Sequence, residues 1–414
     1  MPSLSMDRRQ FLAGALATGA YGALHHTLGV PRSRSIGPKV APRLSPSQGG
    51  RILVLLTLYG GNDGLNTVVP FSDPSYIQQR GSIAIPESSV LQIGQGFGLH
   101  PALTGIKALW DAGQVAIIRG VGYPNPNYSH FESMDIWQSG NPSGDQPTGW
   151  IGRWLDTTRP DPMQALWLGA NLPLAFVGKN QQASSIAASS SPASQIPTGG
   201  AELRSFYALL QQAHRYDTKL QRASMSAGTN MLAVSQVISQ SLQHAPAVAQ
   251  NFAATAGSFG TELGVVAQLI SAGMPTQVYG VSLNGFDSHA GELASYATLL
   301  KQLDSGVAGF FKSLRGVPQG AQTVLVIYTE FGRRVVANAS EGTDHGSGNT
   351  AFVIGPSVKG GFYGDQPSLT QLDSNGSLAV TTDFRTIYST VLEQILDVDP
   401  SVILGGQFTG VPFI

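Results

Sequence analysis

"RILVLLTLYGGNDGLNT" (residues 51–67) sets the reading of the whole chain. Arg51 to Leu58 form an almost unbroken apolar run of strand length, and two glycines then lead into Asn62, Asp63 and Asn66. An amphipathic strand alternates; a continuous apolar run is expected of a strand covered on both faces. Similar runs are "QVAIIRG" (114–120), "TQVYGVSL" (276–283), "QTVLVIYT" (322–329) and "TAFVIG" (350–355), with shorter cases at "ALWLG" (165–169) and "LAFVG" (174–178). Helical periodicity lies between them, at 101–113, 203–220, 293–314 and 381–398, the last with Thr382 as its expected cap. This alternation predicts an α/β fold, an α/β/α sandwich with a mostly parallel central sheet.

Composition narrows the possibilities. The 414 residues are 42% hydrophobic and 12% charged, enough apolar material for a large core. Of 24 basic and 25 acidic residues, six basic and one acidic lie in 1–50, so 18 basic face 24 acidic beyond it. A mildly acidic body does not support nucleic-acid binding. The absence of cysteine excludes thiolate metal sites, disulfides and thiol catalysis.

The first residues look like an address. Arg8-Arg9, Phe11-Leu12 and a small-residue apolar run to Leu24 resemble a twin-arginine export signal over residues 1–30. The run is short for a membrane span, so membrane attachment is expected only if the leader stays uncleaved. An ordinary amphipathic helix is the alternative. Residues 31–50 read as a linker, and 51–414 as a single domain with a flexible loop and helical insertion at 180–273.

Ligands of open α/β sheets bind beyond the carboxyl ends of the strands. Four polar clusters follow predicted strands: Asn62-Asp63, Ser129-His130 in "NYSHFES", Asp287, His289 and Glu292 in "FDSHAGE", and Glu330, Arg333 and Arg334 in "EFGRR". A fifth, Asp344-His345 in "GTDHG", leads into the strand at 350, and a parallel sheet is expected to bring all five to one rim. Carboxylates with neutral imidazoles are the ligand set of zinc, manganese and related divalent ions. Each cluster also has a plain structural reading. Asp287 to His289 and Asp344-His345 equally suit surface turns, and Ser129 equally suits a helix cap. Glu330 equally suits an ion pair with Arg333 or Arg334. His100, His214 and His244 are read as structural or surface residues.

The ordered motifs "LYGGNDGLNTVVP", "YSHFESMDIWQSG", "GWIGRWLD", "FDSHAG", "TEFGRR" and "GTDHG" resemble the bacterial family called domain of unknown function 1501, over about residues 50–414. That family is similar in turn to the alkaline phosphatase–sulfatase superfamily. The resemblance implies an alkaline-phosphatase-like fold, a two-metal site and an alkoxide nucleophile. By that correspondence Asp63 or Asn62 is the first-strand metal ligand and Ser129 the nucleophile. Asp287 and His289 match a ligand pair at shorter spacing. Glu330-Phe331 replaces an Asp-His pair, losing an imidazole for which His130 would compensate. His345 matches the final ligand, with Asp344 beside it. Ser129 lacks the downstream Pro and Arg of a formylglycine sulfatase motif, so that branch is not expected.

The resulting expectation is an exported, metal-dependent hydrolase of phosphate or related anionic esters. Asn62, Asp63, Asp287, His289, Glu330, Asp344 and His345 would hold one or two of Zn, Mn, Mg or Ca. Ser129, His130 and Arg333 would act on an anionic small-molecule or polymeric ester, with Arg333 or Arg334 clamping the anion. The twin-arginine export machinery would be a transient partner, and the destination periplasmic or otherwise extracytoplasmic. The alternative is a catalytically degenerate relative acting as a binding or assembly factor. A nucleotide-binding oxidoreductase fits poorly, because "YGGNDG" lacks the Gly-x-Gly-x-x-Gly order.

Overall fold

A computed structural model of the protein describes residues 50–186, 234, 237–238 and 253–414, all within one compact unit of residues 45–198 and 231–414. The expected export signal (1–30), all of the linker but Gly50, the helix at 203–220 and most of the insertion lie outside the described residues, as do His214 and His244.

The run that opens the chain's core forms β1 (Ile52–Tyr59), in the middle of the large sheet. With β2 (Val68–Val69), β3 (Leu91–Gly94) and β4 (Phe97–Leu99) set apart as a small second sheet, the remaining strands join β1. They are β5 (Val115–Gly122), β6 (Ala165–Leu168), β7 (Ser184–Ile186), β8 (Val278–Asn284), β9 (Thr323–Thr329), β10 (Asn349–Ile354), β11 (Gly361–Tyr363) and β12 (Thr382–Asp383). Their order is β11-β5-β10-β9-β1-β8-β6-β7, with β12 also on β5. Every pairing is parallel except those of β10, which runs antiparallel to both β5 and β9.

Both faces of β1 are buried, as its composition requires. Val54 and Leu56 join one core with α3 (Thr104–Asp111), α6 (Ala253–Ser271) and α7 (Glu292–Ser313), through Ile106, Leu263, Leu300 and Phe310. Leu53 and Leu55 join the other with α4 (His130–Ser139), α5 (Trp150–Thr157) and α8 (Phe384–Gln394), through Trp137, Trp154 and Val391. The result is the expected three-layer α/β/α sandwich with a mostly parallel sheet. Two short helices, α1 (Gly64–Thr67) and α2 (Pro74–Arg80), follow β1 beside the small sheet. Among the described residues no helix is long and apolar enough to cross a membrane.

Two local expectations are corrected. "LAFVG" is a 3-10 turn at Leu174–Phe176 rather than a strand. Pro173 precedes it and brings no N–H to a ladder. Thr382 pairs with Val121 in β12, and Asp383 caps α8 instead, accepting from the Arg385 amide at 2.9 Å.

Candidate metal centre

Four polar segments meet at one edge of the sheet. β5, β8 and β9 deliver theirs from their carboxyl ends. "GTDHG" precedes its strand, so in a parallel strand it would lie at the opposite edge. Because β10 is antiparallel, its start lies at the carboxyl ends of its neighbours, and His345 joins the rim.

The centre is the Oδ1 atom of Asp287. His289 Nδ1 lies 2.9 Å from it, His345 Nε2 3.3 Å and His130 Nε2 3.5 Å. The Arg333 guanidinium donates to the same oxygen at 2.7 Å. Burial alone would raise the Asp287 carboxyl, but the Arg333 hydrogen bond and charge outweigh it and hold the group at about 2. Asp287 is therefore ionised at neutral pH.

Each of two imidazoles is oriented from behind. His130 Nδ1 is 2.7 Å from Glu330 Oε1, and the buried Glu330 also accepts from the Gly60 amide and the Thr329 hydroxyl. His345 Nδ1 is 2.7 Å from the Tyr128 carbonyl, which is solely an acceptor. Both Nδ1 atoms must therefore carry the proton, which leaves each neutral imidazole with its lone pair on Nε2. The hydrogen bond to Glu330 raises the His130 pKa despite burial. Burial lowers that of His345, only partly offset by its bond to Tyr128. His130 Nε2 is buried with no hydrogen-bond partner among the described residues.

When both imidazoles are neutral, two Nε2 lone pairs and an ionised carboxylate converge on one place. One ring nitrogen from each of His130 and His345 and an oxygen of Asp287 lie within 4.8 Å of one another. Zinc–nitrogen bonds of about 2.0–2.1 Å at a tetrahedral angle place two ligand atoms roughly 3.3 Å apart. The observed 3.3 and 3.5 Å separations from Asp287 fit that spacing. The backing of His130 by a carboxylate and of His345 by a carbonyl is the support that metal-binding histidines ordinarily have. His289 is half-exposed beside them, its ring centroid 4.8 Å from that of His345.

The other expected ligands stand elsewhere. Asp63 is buried with both oxygens bound by Arg80, at 2.7 and 2.8 Å, and caps α1. Asn62 is buried too, its Oδ1 accepting from the Tyr296 hydroxyl at 2.7 Å. The short helix after β1 turns both side chains inward, away from the rim. Glu330 approaches from behind His130 rather than joining Asp287. Asp344 is half-exposed, accepts from Asn338 at 3.1 Å and lies 3.8 Å from Arg334. The two-metal ligand set implied by the resemblance is therefore not assembled, and His130, expected as a catalytic neighbour, stands with Asp287 and His345 as a candidate metal donor.

Arg333 is likewise no anion clamp. Its side chain is fully buried and donates to the carbonyls of Gly61, Thr343, Gly60 and Phe286 as well as to Asp287. With its donors spent on these loops, it holds the site together from below. Phe331, at the place of the lost imidazole, packs with its centroid 4.8 Å from both His130 and His345.

Ser129 is the N-cap of α4, yet its side chain makes no capping hydrogen bond, and among the described residues its hydroxyl has no partner. It sits between Tyr128, which holds His345, and His130. The glycines of "GTDHG" permit close approach. A Cβ on Gly342 would lie 2.3 Å from the His289 backbone, and one on Gly346 2.4 Å from that of Arg333. Residues that the sequence did not single out are Tyr128, Arg80 and Tyr296. Tyr128 acts through its carbonyl, which no side-chain pattern marks; Arg80 and Tyr296 sit in unremarkable helical stretches.

The chain belongs to the family described as "Protein of unknown function (DUF1501)", whose profile matches residues 114–396. No curated protein matches it. Among solved structures it is similar to the phosphonate monoester hydrolase of Agrobacterium radiobacter, with 12% identity, TM-score 0.35, and 87% of this chain and 78% of that one covered. It is also similar to a protein of the alkaline phosphatase superfamily from Vibrio parahaemolyticus, with 11% identity, TM-score 0.34, and coverage of 87% and 70%. A third is the C-terminal periplasmic domain of EcEptC from Escherichia coli, with 13% identity, TM-score 0.30, and coverage of 75% and 74%. These likenesses are distant, and the chemistry of the site rests on its own geometry.

Proposed function

We propose that the protein is an exported hydrolase of phosphate or related anionic esters that uses a single divalent ion held by Asp287, His130 and His345. One observation carries the metal reading: two Nε2 lone pairs, each fixed by a hydrogen bond at Nδ1, converge on an ionised carboxylate. The N,N,O donor set favours zinc or a similar transition ion over Mg or Ca, which prefer oxygen ligands. His289 would be a fourth ligand or a hydrogen-bond donor to Asp287. A bound ion supplies positive charge to an ester oxygen as charge builds on it.

Ser129 is the nucleophile in this reading. Its unpartnered hydroxyl stands at the start of a ten-residue helix, where backbone N–H groups favour an anionic substrate. Its oxygen would bond to the ester centre as the alcohol departs, and water would then release the acid. The twin-arginine-like leader at residues 1–30 supports placement outside the cytoplasm. One domain over 51–414, with a flexible loop and helical insertion at 180–273, remains part of the proposal.

The test is Ser129→Ala in metal-loaded protein, assayed against a panel of phosphate, phosphonate and sulfate esters. Turnover should vanish while metal content stays at the wild-type level. Loss of the ion with Ser129→Ala, or no turnover by wild type on any ester, overturns the hydrolase. The burial of Arg333 and the use of Glu330 to hold His130 favour a second reading, a degenerate relative with a structural ion. It predicts bound metal without turnover.

A further inference from the structure

Asp287 and His345 come from strands that are not neighbours. In the sheet β8 and β10 are separated by β1 and β9, so no strand ladder fixes the distance between these two groups. Adjacent strands lie about 4.8 Å apart, so the two loops must bridge roughly 14 Å at their bases. Something beyond the sheet has to hold them together at 3.3 Å.

Three side chains span the loops. Two are Arg333, described above, and the half-buried Asn338, which donates to the His289 carbonyl at 3.0 Å and to Asp344 at 3.1 Å. The third is Glu292, the first residue of α7 and fully buried. Its Oε2 accepts from the Ser288 hydroxyl at 2.9 Å and from the Thr343 hydroxyl at 2.7 Å. Ser288 lies between Asp287 and His289, and Thr343 stands two residues before His345. A backbone bond from the Thr343 amide to the Ser288 carbonyl, 2.9 Å, runs alongside. The Glu292 amide also bonds the Glu341 carbonyl at 2.8 Å. Its Oε1 accepts from Asn66 at 3.3 Å, and the Asp63 carboxylate is within hydrogen-bonding reach. One oxygen therefore ties both ligand-bearing loops to the start of a helix in the core.

We infer that Glu292 is a positioning residue, which sets the separation of Asp287 and His345 by pinning Ser288 and Thr343 to a single carboxyl oxygen. The inference rests on the metal reading of the site, but its geometric part is separable. Glutamine keeps an oxygen for both hydroxyls and turns its N–H groups toward Asp63, so it should preserve the arrangement. Alanine removes the pin.

The test measures zinc affinity by chelator competition, alongside thermal melting, for wild type, Glu292→Ala, Glu292→Gln and Thr343→Val. Glu292→Ala and Thr343→Val should weaken zinc by about 10–100-fold, the usual effect of losing support behind metal ligands. Glu292→Gln should bind as wild type does. Thr343→Val removes one pinning hydroxyl at nearly constant shape, so it serves if the alanine variant does not fold. A crystal structure of metal-free Thr343→Val should show Asp287 Oδ1 and His345 Nε2 separated by more than 3.3 Å. Wild-type affinity with an unchanged distance in Thr343→Val overturns the inference. So does a drop in melting temperature with no change in affinity or distance, the mark of a merely structural role. If wild type binds no zinc but the distance opens, the metal reading falls and the positioning role stands.

Discussion

Asp63 and Asp287 follow neighbouring parallel strands, and each meets a buried arginine. Their surroundings are otherwise opposite. Asp63 is 1% exposed and gives both oxygens to Arg80. Asp287 is 47% exposed and gathers Arg333 and three imidazoles around one oxygen. A carboxylate whose acceptors are all filled by a buried partner is part of the scaffold. A carboxylate faced by imidazole nitrogens is a place where a cation would be stabilised. The difference lies in what surrounds each group, since the residue type is the same.

The sharpest break in this comparison is Asp63→Ala. It leaves the buried Arg80 uncompensated, and stability should fall by about 3–5 kcal/mol, measured by urea unfolding. The folded remainder should keep its full metal content. Asp287→Ala should do the reverse, abolishing metal binding in elemental analysis with a smaller stability loss than Asp63→Ala. Equal effects of the two variants on metal content would remove the distinction.

Glu330→Gln is a subtler probe. The amide no longer matches the His130 Nδ1 proton as a carboxylate does. Metal affinity should drop by about 10–100-fold with the ligands themselves intact. Unchanged affinity would show that Glu330 does not support His130.

The last probe concerns pH. Burial first, and the Asp63 carboxylate beside it, push the Glu292 carboxyl from 4.5 up to about 8. Between those values the folded protein holds a proton that the unfolded chain has released. Stability should therefore decline as pH rises through that window. Glu292→Gln should flatten the decline in a series of melts. A wild-type profile that rises instead would contradict the burial of this group as a neutral acid.

Much of the architecture was legible in the chain. Continuous apolar runs such as "RILVLLTL" read correctly as strands covered on both faces, and the helical periods at 101–113 and 293–314 correspond to α3 and α7. Of the polar motifs, those carrying His130, Asp287, His289 and His345 meet at one edge of the sheet. Their individual roles were not legible. Nothing local distinguishes Asp63, which turns into the protein to meet Arg80, from Asp287, which turns to the rim. The role of Arg333 was misread for a similar reason: an arginine in a glycine-rich loop suits an anion, but here four carbonyls enclose it. "LAFVG" misled because five apolar residues carry no period, and Pro173 decided the outcome.

The sequence by itself determined that there would be a doubly covered sheet with histidines and carboxylates grouped in its loops. Apolar runs and turn residues act locally, through burial and backbone preference, and leave their mark in consecutive positions. Only the tertiary structure decided which of those groups meet. The direction of β10 carries His345 to the rim, Glu330 and Tyr128 choose the imidazole tautomers, and Glu292 and Arg333 bind loops from strands that never pair. Such choices depend on partners far apart in the chain, and no pattern of neighbouring residues records them.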